Sequence, residues 1–414
     1  MLTIGQQTKQ TLTFKDFKLD ERLLEGIESM GYEIATPIQA QVIPPILAGK
    51  DIIASAQTGT GKTAAFLLPL INKLLTVSHD HHHINAMIIV PTRELAVQIA
   101  QAMEALSYFT SVSSIAVYGG NDGAIFTNEK KALSSGVDVV VCTPGRMIAH
   151  LNMGYVKLND LRYLILDEAD RMLDMGFKDD IMRIIAFLPK KRQNLLFSAT
   201  MPQKIRELAR TILYQPVEIN IAVSKPPEQI KQEAFVVYEP QKIPLIKHVL
   251  SQKDFGSVLI FCSRKQNVKQ LARELKQAKF SIEEIHSDLL QEQREQVLLD
   301  FKNRKTKILV ATDILSRGID IEDIDLVINY DVPNDGEDYV HRIGRTARAE
   351  STGTAYTFIS EAEQNKFARI EQLLGHEVTK AIVDKSFGET PEYTPKARRQ
   401  SSGKKRYFKP HYKK

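Results

Sequence analysis

From Asp51 onward the chain alternates short apolar runs with longer stretches of helical periodicity. The runs are Asp51–Ala56, Ala86–Val90, Ser113–Tyr118, Asp138–Cys142, Tyr163–Asp167 and Asn194–Ser198. They are rich in Val, Ile and Leu, as strands buried on both faces should be. Strand and helix in alternation predict an α/β fold, a mostly parallel sheet with helices on both faces. The pattern pauses at 223–229, VSKPPEQ, where two prolines in a polar stretch read as a linker. A second series follows at Ser257–Cys262, Ile282–Ile285, Lys307–Ala311, Leu326–Tyr330 and Thr354–Ile359. Beyond about Lys380 apolar periodicity is lost and Gly, Pro, Ser and basic residues dominate, which predicts a disordered tail. The expected organisation is a first domain over 1–222, a linker over 223–230, a second domain over 231–380 and a basic tail over 381–414.

Bulk properties change this picture little. A length of 414 residues suits two or three domains at roughly 100–200 residues each. No apolar run approaches the ~18 residues of a membrane span, and the N-terminal MLTIGQQTKQ lacks the charged start and apolar stretch of a signal peptide. A cytoplasmic protein without membrane partners is expected. Cys142 and Cys262 are the two cysteines, far apart and each ending an apolar run, so buried free thiols are expected. Charge does alter the reading. Residues 385–414 hold ten Lys or Arg against Glu389 and Glu392, a balance of +8, so the overall +5 leaves −3 for residues 1–384. The basicity belongs to the tail, and any nucleic-acid affinity of the body must come from local residues.

Two segments carry recognisable chemistry. Ala56 to Thr63 reads AQTGTGKT, after one apolar run and before the helical stretch Thr63–Leu75. Small residues there (Ala56, Gln57, Thr58, Gly59, Thr60, Gly61) let backbone N–H groups cradle phosphates. Lys62 reaches the β- and γ-phosphates, the Thr63 hydroxyl ligates Mg²⁺, and the helix N-terminus adds its positive dipole end. Ala56 stands where the pattern usually has its first glycine. Downstream, Asp167-Glu168-Ala169-Asp170 ends another apolar run. Asp167 suits Mg²⁺, in part through water, and Glu168 suits a base or positioner for attacking water. In HRIGRTAR, Arg345 and Arg348 share a helix face at a spacing of three, and His341 lies four before Arg345. The histidine-rich stretch 79–83 falls where the fold needs only a connector, although four histidines can also bind metal.

The order of these segments, with others, resembles the DEAD-box RNA helicases of superfamily 2, and in particular compact bacterial members. The motifs are GYEIATPIQ at 31–39 with Phe14 upstream, PTRELA at 91–96, Gly119-Gly120, TPGR at 143–146, DEAD at 167–170 and SAT at 198–200. The second series carries IFCSRK at 260–265, ATDILSRGID at 311–320 and HRIGRTAR at 341–348. Together they span about residues 14–360, in family order. Departures are Ala35 for a common proline, Cys262-Ser263 for a common Asn-Thr, and Ala347 for a common glycine.

The resemblance implies two tandem RecA-like domains and an RNA-stimulated ATPase. It implies that Gln39 reads the adenine edge, for which an amide offers donor and acceptor together, and that Phe14 stacks on the ring. Asp320 is implied at the ribose, with Arg345 and Arg348 as arginine fingers on the γ-phosphate. Asp170, Ser198, Thr200 and His341 are implied as the network coupling hydrolysis to domain closure. RNA contacts are implied at Arg93, Gly120, Thr143, Gly145 and Arg146 in the first domain, and at Arg264, Arg294 and Thr312 in the second. None of these residue types need read a base edge there, so sequence-independent backbone binding follows. Tail aromatics Tyr393, Tyr407, Phe408 and Tyr412, set among basic residues, suit a second RNA anchor. The expected activity is ATP-dependent local unwinding of short RNA duplexes by a monomer. Ribosome assembly, RNA decay and cold adaptation are the pathways left open, with ribosomal precursors or RNA-decay complexes as partners. Two alternatives share the scaffold: an ATP-gated RNA clamp with little unwinding, and a DNA translocase.

Overall fold

A computed structural model describes residues 12–56, 60–77, 83–119, 123–221, 230–312, 324–333, 336–346 and 353–395. Each half of the chain forms one seven-stranded sheet, and every strand pair in both is parallel. The first contains β1 (Ile52–Ser55), β2 (Ala86–Ile89), β3 (Ser114–Val117), β4 (Val139–Cys142), β5 (Tyr163–Leu166), β6 (Gln193–Ser198) and β7 (Val217–Asn220). Its helices are α1 (Glu21–Ser29), α2 (Pro37–Leu47), α3 (Lys62–Thr76), α4 (Arg93–Leu106), α5 (Gly123–Ser135), α6 (Pro144–Asn152), α7 (Ala169–Asp174), α8 (Lys178–Ala186) and α9 (Gln203–Ile212). Alternate strand residues enter separate cores. Ile52, Ala54, Ile88, Val141 and Phe197 pack on one face, and Ile53, Met87, Ile89, Val140 and Leu196 on the other. Both faces are therefore covered by helices, which explains the nearly unbroken apolar runs.

The second sheet contains β8 (Ile230–Val236), β9 (Val258–Cys262), β10 (Ile282–Ile285), β11 (Ile308–Thr312), β12 (Leu326–Asn329), β13 (Gly353–Ile359) and β14 (Thr379–Lys380). Its helices are α10 (Lys242–Gln252), α11 (Lys265–Gln277), α12 (Gln291–Lys302), α13 (Gly336–Ile343) and α14 (Gln364–Leu374). The strand orders are β3-β4-β2-β5-β6-β1-β7 and β10-β11-β9-β12-β13-β8-β14. Numbered within its own sheet, the second order is identical to the first, so the two domains repeat one topology. Chemistry-bearing loops leave the carboxyl ends of these strands, where open α/β sheets hold their ligands.

Three expectations need correction. The linker cannot run to residue 230, because Ile230 opens β8 and is buried. Nor does the second domain stop at 380. Residues 381–395 form a strap along it: Ala381, Val383 and Phe387 pack against one core and Tyr393 against another. Gln241 Nε2 donates to the carbonyls of Phe387 and Glu389, while Gln364 clamps the Glu392 carbonyl and the Thr394 amide. The third correction concerns Tyr393. Its hydroxyl donates to Glu371 Oε2 at 2.6 Å and its ring meets Phe367, so it is a core anchor of the second domain and not a tail aromatic. Residues 396–414, with the other tail aromatics, lie outside the described residues. Both cysteines are buried and free at strand ends, as expected.

Candidate nucleotide cleft and nucleic-acid groove

A cleft of about 810 Å³ opens at the carboxyl end of β1, within the size range of small-molecule sites. The first domain supplies Phe14, Gln39, Gly61, Lys62, Thr63, Asp167 and Glu168 to its wall, and the second supplies Arg345. Thr36 caps α2, and the Gln39 side chain folds back onto that cap, its Oε1 accepting from Thr36 N at 2.8 Å. Gln39 Nε2 donates to the Gly61 carbonyl at 3.2 Å. The approach is so close that a Cβ on Gly61 would lie 2.6 Å from Gln39 Nε2, and Gly61 also has a φ of 90°. Only glycine meets both demands. Phe14 lies in a short 3₁₀ turn, its ring 6.3 Å from that of Tyr32, which lines the same wall.

Lys62 is buried as the first residue of α3, and its ammonium donates to the Ala56 carbonyl at 2.8 Å. The Ala56 amide donates to the carbonyl of Ser198, which ties the loop to the SAT segment. Asp167 is buried, and that burial pushes its carboxyl up to about 6; the Lys62 ammonium pulls the other way and the neighbouring Glu168 and Asp170 carboxylates add to the rise. Its Oδ1 accepts from the Glu168 amide at 2.9 Å. Glu168 has a φ of 51°, unusual for a residue with a side chain. Arg171 holds its carboxylate, with Nη1 donating to Glu168 Oε2 at 3.1 Å. Arg171 was not anticipated from sequence, although an arginine one helical turn after Glu168 is the available signal. Asp170 bonds to a different segment. Its Oδ2 accepts from Thr200 N at 3.0 Å, and Ser198 Oγ donates to the Thr200 carbonyl at 2.7 Å. Three members of the expected coupling network are thus joined, and His341 sits half-buried on α13.

A second groove, of about 800 Å³, also draws its walls from both domains. Pro91, Arg93, Gly119, Thr143, Gly145 and Arg146 come from the first; Ser263, Lys265, Arg294 and Thr312 from the second. Arg264 is exposed at the start of α11, between Ser263 and Lys265. The arginines are not loose surface charges. Arg294 Nη1 lies 3.6 Å from Glu94 Oε1 across the domain boundary, and its Nη2 donates to the Ser287 carbonyl. Burial makes Arg93 less basic than usual, and the nearby charges of Arg294 and Arg146 add to this against the pull of Glu94. Three guanidinium groups gathered in one groove are an arrangement that favours an anion. Gln57, Thr58, Gly59, Gly120, Asp320 and Arg348 lie outside the described residues. Within the histidine-rich stretch, His83 is described and its Nδ1 pairs with Asp160 Oδ2 at 2.7 Å.

Comparison with known proteins gives the same motifs a context. A DEAD/DEAH box helicase family model matches residues 36–208, and a helicase conserved C-terminal domain model matches 241–350. ATP-dependent RNA helicase CshA of Listeria monocytogenes is 42% identical over 360 residues, covering 87% of this chain and 68% of that protein. ATP-dependent RNA helicase DbpA of Bacillus subtilis is 40% identical over 368 residues, covering 89% and 76%. Among solved structures, S. cerevisiae Dbp5 bound to RNA and ADP BeF3 superposes with a TM-score of 0.80 at 30% identity, over 90% of this chain and 96% of that one. Mss116p bound to ssRNA and AMP-PNP superposes at 0.81 with 27% identity, over 92% and 82%.

Proposed function

This chain belongs to the DEAD-box ATP-dependent RNA helicases, and we propose that it opens short RNA duplexes by closing two domains over ATP and one RNA strand. The observation that carries this reading is the position of the two sites. The nucleotide cleft and the arginine groove are separate, yet each takes walls from both domains. A ligand that touches both domains only when they are closed favours closure. Two such ligands at one interface then favour each other, and the coupling is reciprocal. Along the groove Arg93, Thr143, Gly145, Arg146, Arg294 and Thr312 hold phosphates without reading bases, and Gly120 and Arg264 are assigned the same role.

For hydrolysis, Gln39 and Phe14 select and stack adenine, and Asp320 holds the ribose. The phosphates draw Lys62 off the Ala56 carbonyl. Thr63 and Asp167 offer hard oxygen donors of the kind Mg²⁺ takes, and the buried Asp167 carboxylate gains from a nearby cation. They would hold Mg²⁺, which when bound neutralises phosphate charge. Glu168, steadied by Arg171, orients a water and accepts its proton as the water oxygen bonds to the γ-phosphorus and the bond to ADP breaks. Arg345 and Arg348 stabilise the charge that develops on the transferred group. Asp170, with Thr200, Ser198 and His341, passes the loss of phosphate to the domain interface. The basic tail is a second, salt-sensitive RNA anchor. The protein works as a cytoplasmic monomer on ribosomal precursors or RNA-decay substrates.

The deciding experiment measures ATP turnover with RNA, with DNA and with neither, alongside strand separation of a short RNA duplex. Turnover stimulated by RNA and coupled strand separation are expected. Turnover indifferent to RNA, or stimulated by DNA alone, refutes the reading. RNA retention on ATP binding without strand separation would favour the clamp.

A further inference from the structure

Beneath the arginine groove lies a cluster of buried ionisable groups that hydrolysis does not use. Glu129, on α5, is 2% exposed, and its carboxylate meets partners from separate segments. Its Oε2 accepts from Arg146 Nε at 2.7 Å and lies 3.0 Å from His150 Nε2. Its Oε1 accepts from the Tyr118 amide at 3.1 Å. Arg146 belongs to the first turn of α6, directly after Thr143 and Gly145, and Tyr118 immediately precedes Gly119. One carboxylate therefore joins two of the first-domain segments that wall the groove.

The cluster is built to hold still. His150 is fully buried, its Nδ1 is paired with the Tyr155 hydroxyl, and its ring stacks on Phe126 at 4.5 Å. Phe126 also carries the Arg146 guanidinium, 4.6 Å from its ring centre. Arg146 is thus fixed by a hydrogen bond at Nε and by an aromatic platform, while its Nη2 has no hydrogen-bond partner among the described residues. Ordering an arginine on binding costs rotamer entropy; here folding has already ordered it. The Glu129 carboxylate also pairs the Arg146 charge, one of the two guanidinium charges that, after burial, make Arg93 less basic.

We propose that Glu129 is a positioning residue for RNA. It presets the Arg146 guanidinium and the Tyr118–Gly119 turn to receive a backbone phosphate, and His150 and Phe126 brace it from behind. The inference rests on the arginine groove being the RNA site, and the test separates the two. RNA-stimulated ATP turnover of the full chain is titrated with single-stranded RNA for wild type, Glu129→Leu, Glu129→Gln, Arg146→Ala and the Glu129→Leu/Arg146→Ala double variant. Glu129→Leu is expected to raise the half-saturating RNA concentration about tenfold, the worth of one charge-assisted contact, with turnover at saturation within about a factor of two. Glu129→Gln keeps one acceptor oxygen for Arg146 Nε but turns an NH₂ toward the Tyr118 amide, so it is expected to recover part of the affinity, to about threefold weaker than wild type. In the Arg146→Ala background, Glu129→Leu should add nothing.

A normal titration for Glu129→Leu beside a weakened Arg146→Ala overturns the role of Glu129 and leaves the groove standing. A Glu129→Leu defect that persists in full on top of Arg146→Ala also overturns it. An Arg146→Ala variant that binds RNA normally removes the groove assignment, and this inference with it. Glu129→Asp, which keeps the charge but withdraws it by one methylene, replaces Glu129→Leu if that variant does not fold. An unshifted Glu129→Asp then counts against the proposal.

Discussion

Replacing Asp167 by Asn is expected to stabilise the nucleotide-free protein while abolishing its turnover. The carboxyl ordinarily titrates at 3.8, and burial raises it to about 6 in the folded chain. At about 1.36 kcal/mol per pKa unit, that gap means the folded state disfavours the charged form by about 3 kcal/mol. The sign follows from which form is penalised. Below 3.8 the group is protonated in both folded and unfolded chains, and no cost arises. The cost grows as pH rises from 3.8 and is complete above about 6. Asn keeps the oxygen that accepts from the Glu168 amide and never carries the charge. The variant should therefore exceed wild type by about 3 kcal/mol near pH ~8 and by less than about 1 kcal/mol near pH ~4. For a domain of this size, the higher-pH difference is roughly 6–12 °C in the unfolding midpoint. Thermal or urea unfolding of the first domain at both pH values, variant against wild type, reads it directly. Carboxylates remote from Asp167 cancel in that difference. Magnesium and ATP should close the gap by stabilising wild type alone. A variant less stable than wild type, or an advantage that does not shrink on acidification, refutes the account of Asp167 as a strained buried anion.

Three further outcomes are expected. Glu168→Gln should retain ATP and ATP-dependent RNA binding while turnover falls by about 10²–10⁴; ordinary turnover would remove Glu168 from its role. Tyr393→Phe deletes the hydroxyl that bonds Glu371, so the second domain should lose about 1–3 kcal/mol in urea unfolding with RNA affinity unchanged. Weaker RNA binding at unchanged stability would return Tyr393 to the tail. Removing residues 396–414, which carry nine Lys or Arg and no acid, should weaken RNA binding and flatten its salt dependence. Turnover at saturating RNA should survive that deletion, and its collapse would make the tail part of the core machine.

The sequence disclosed the strands that are buried on both faces, because there the apolar signal is continuous. It concealed β7, whose residues Val217, Glu218 and Asn220 are exposed at a sheet edge, and β8, where Lys231, Gln232 and Glu233 interrupt the pattern beside the linker prolines. It concealed β14 and the strap because two paired residues and a few apolar anchors in a proline-containing stretch carry no period. The nucleotide loop and acidic tetrad were legible because phosphate chemistry fixes residue type at short spacing. Glu129 was not, because its partners Tyr118, Arg146 and His150 lie 11, 17 and 21 residues away and meet only once the sheet has formed. Arg294 was read as an RNA contact, and its tertiary position adds an ion pair with Glu94 that no local pattern announces.

The repeated topology lets the lysines at the start of corresponding helices be compared between the two domains. Lys62 opens the helix after the first strand of its sheet, and Asp167 follows the fifth. In the second sheet the helix after the first strand opens with Lys242, and Asp331 follows the fifth strand by two residues. The two lysines hold corresponding places, yet their surroundings diverge. Lys62 donates to the neutral Ala56 carbonyl and acts on the Asp167 carboxylate, with no salt bridge among the described residues. Lys242 is fully buried, with Glu239, Glu363 and Asp331 carboxylate oxygens at 2.9, 3.1 and 3.8 Å, so its charge is already matched from within. An ammonium neutralised in this way has little to offer a triphosphate. What Asp331 does instead is fix neighbours. Its Oδ2 accepts from the Ser263 amide at 2.7 Å, beside the RNA groove, and its carbonyl accepts from Arg342 Nη1 at 3.0 Å, on the helix leading to Arg345. The second domain thus has an internal ion cluster at the place where the first has its lysine and loop, and that cluster contacts Ser263 and Arg342. Under the proposed function, hydrolysis requires the domains to close, because the cleft takes Lys62 from one domain and Arg345 from the other.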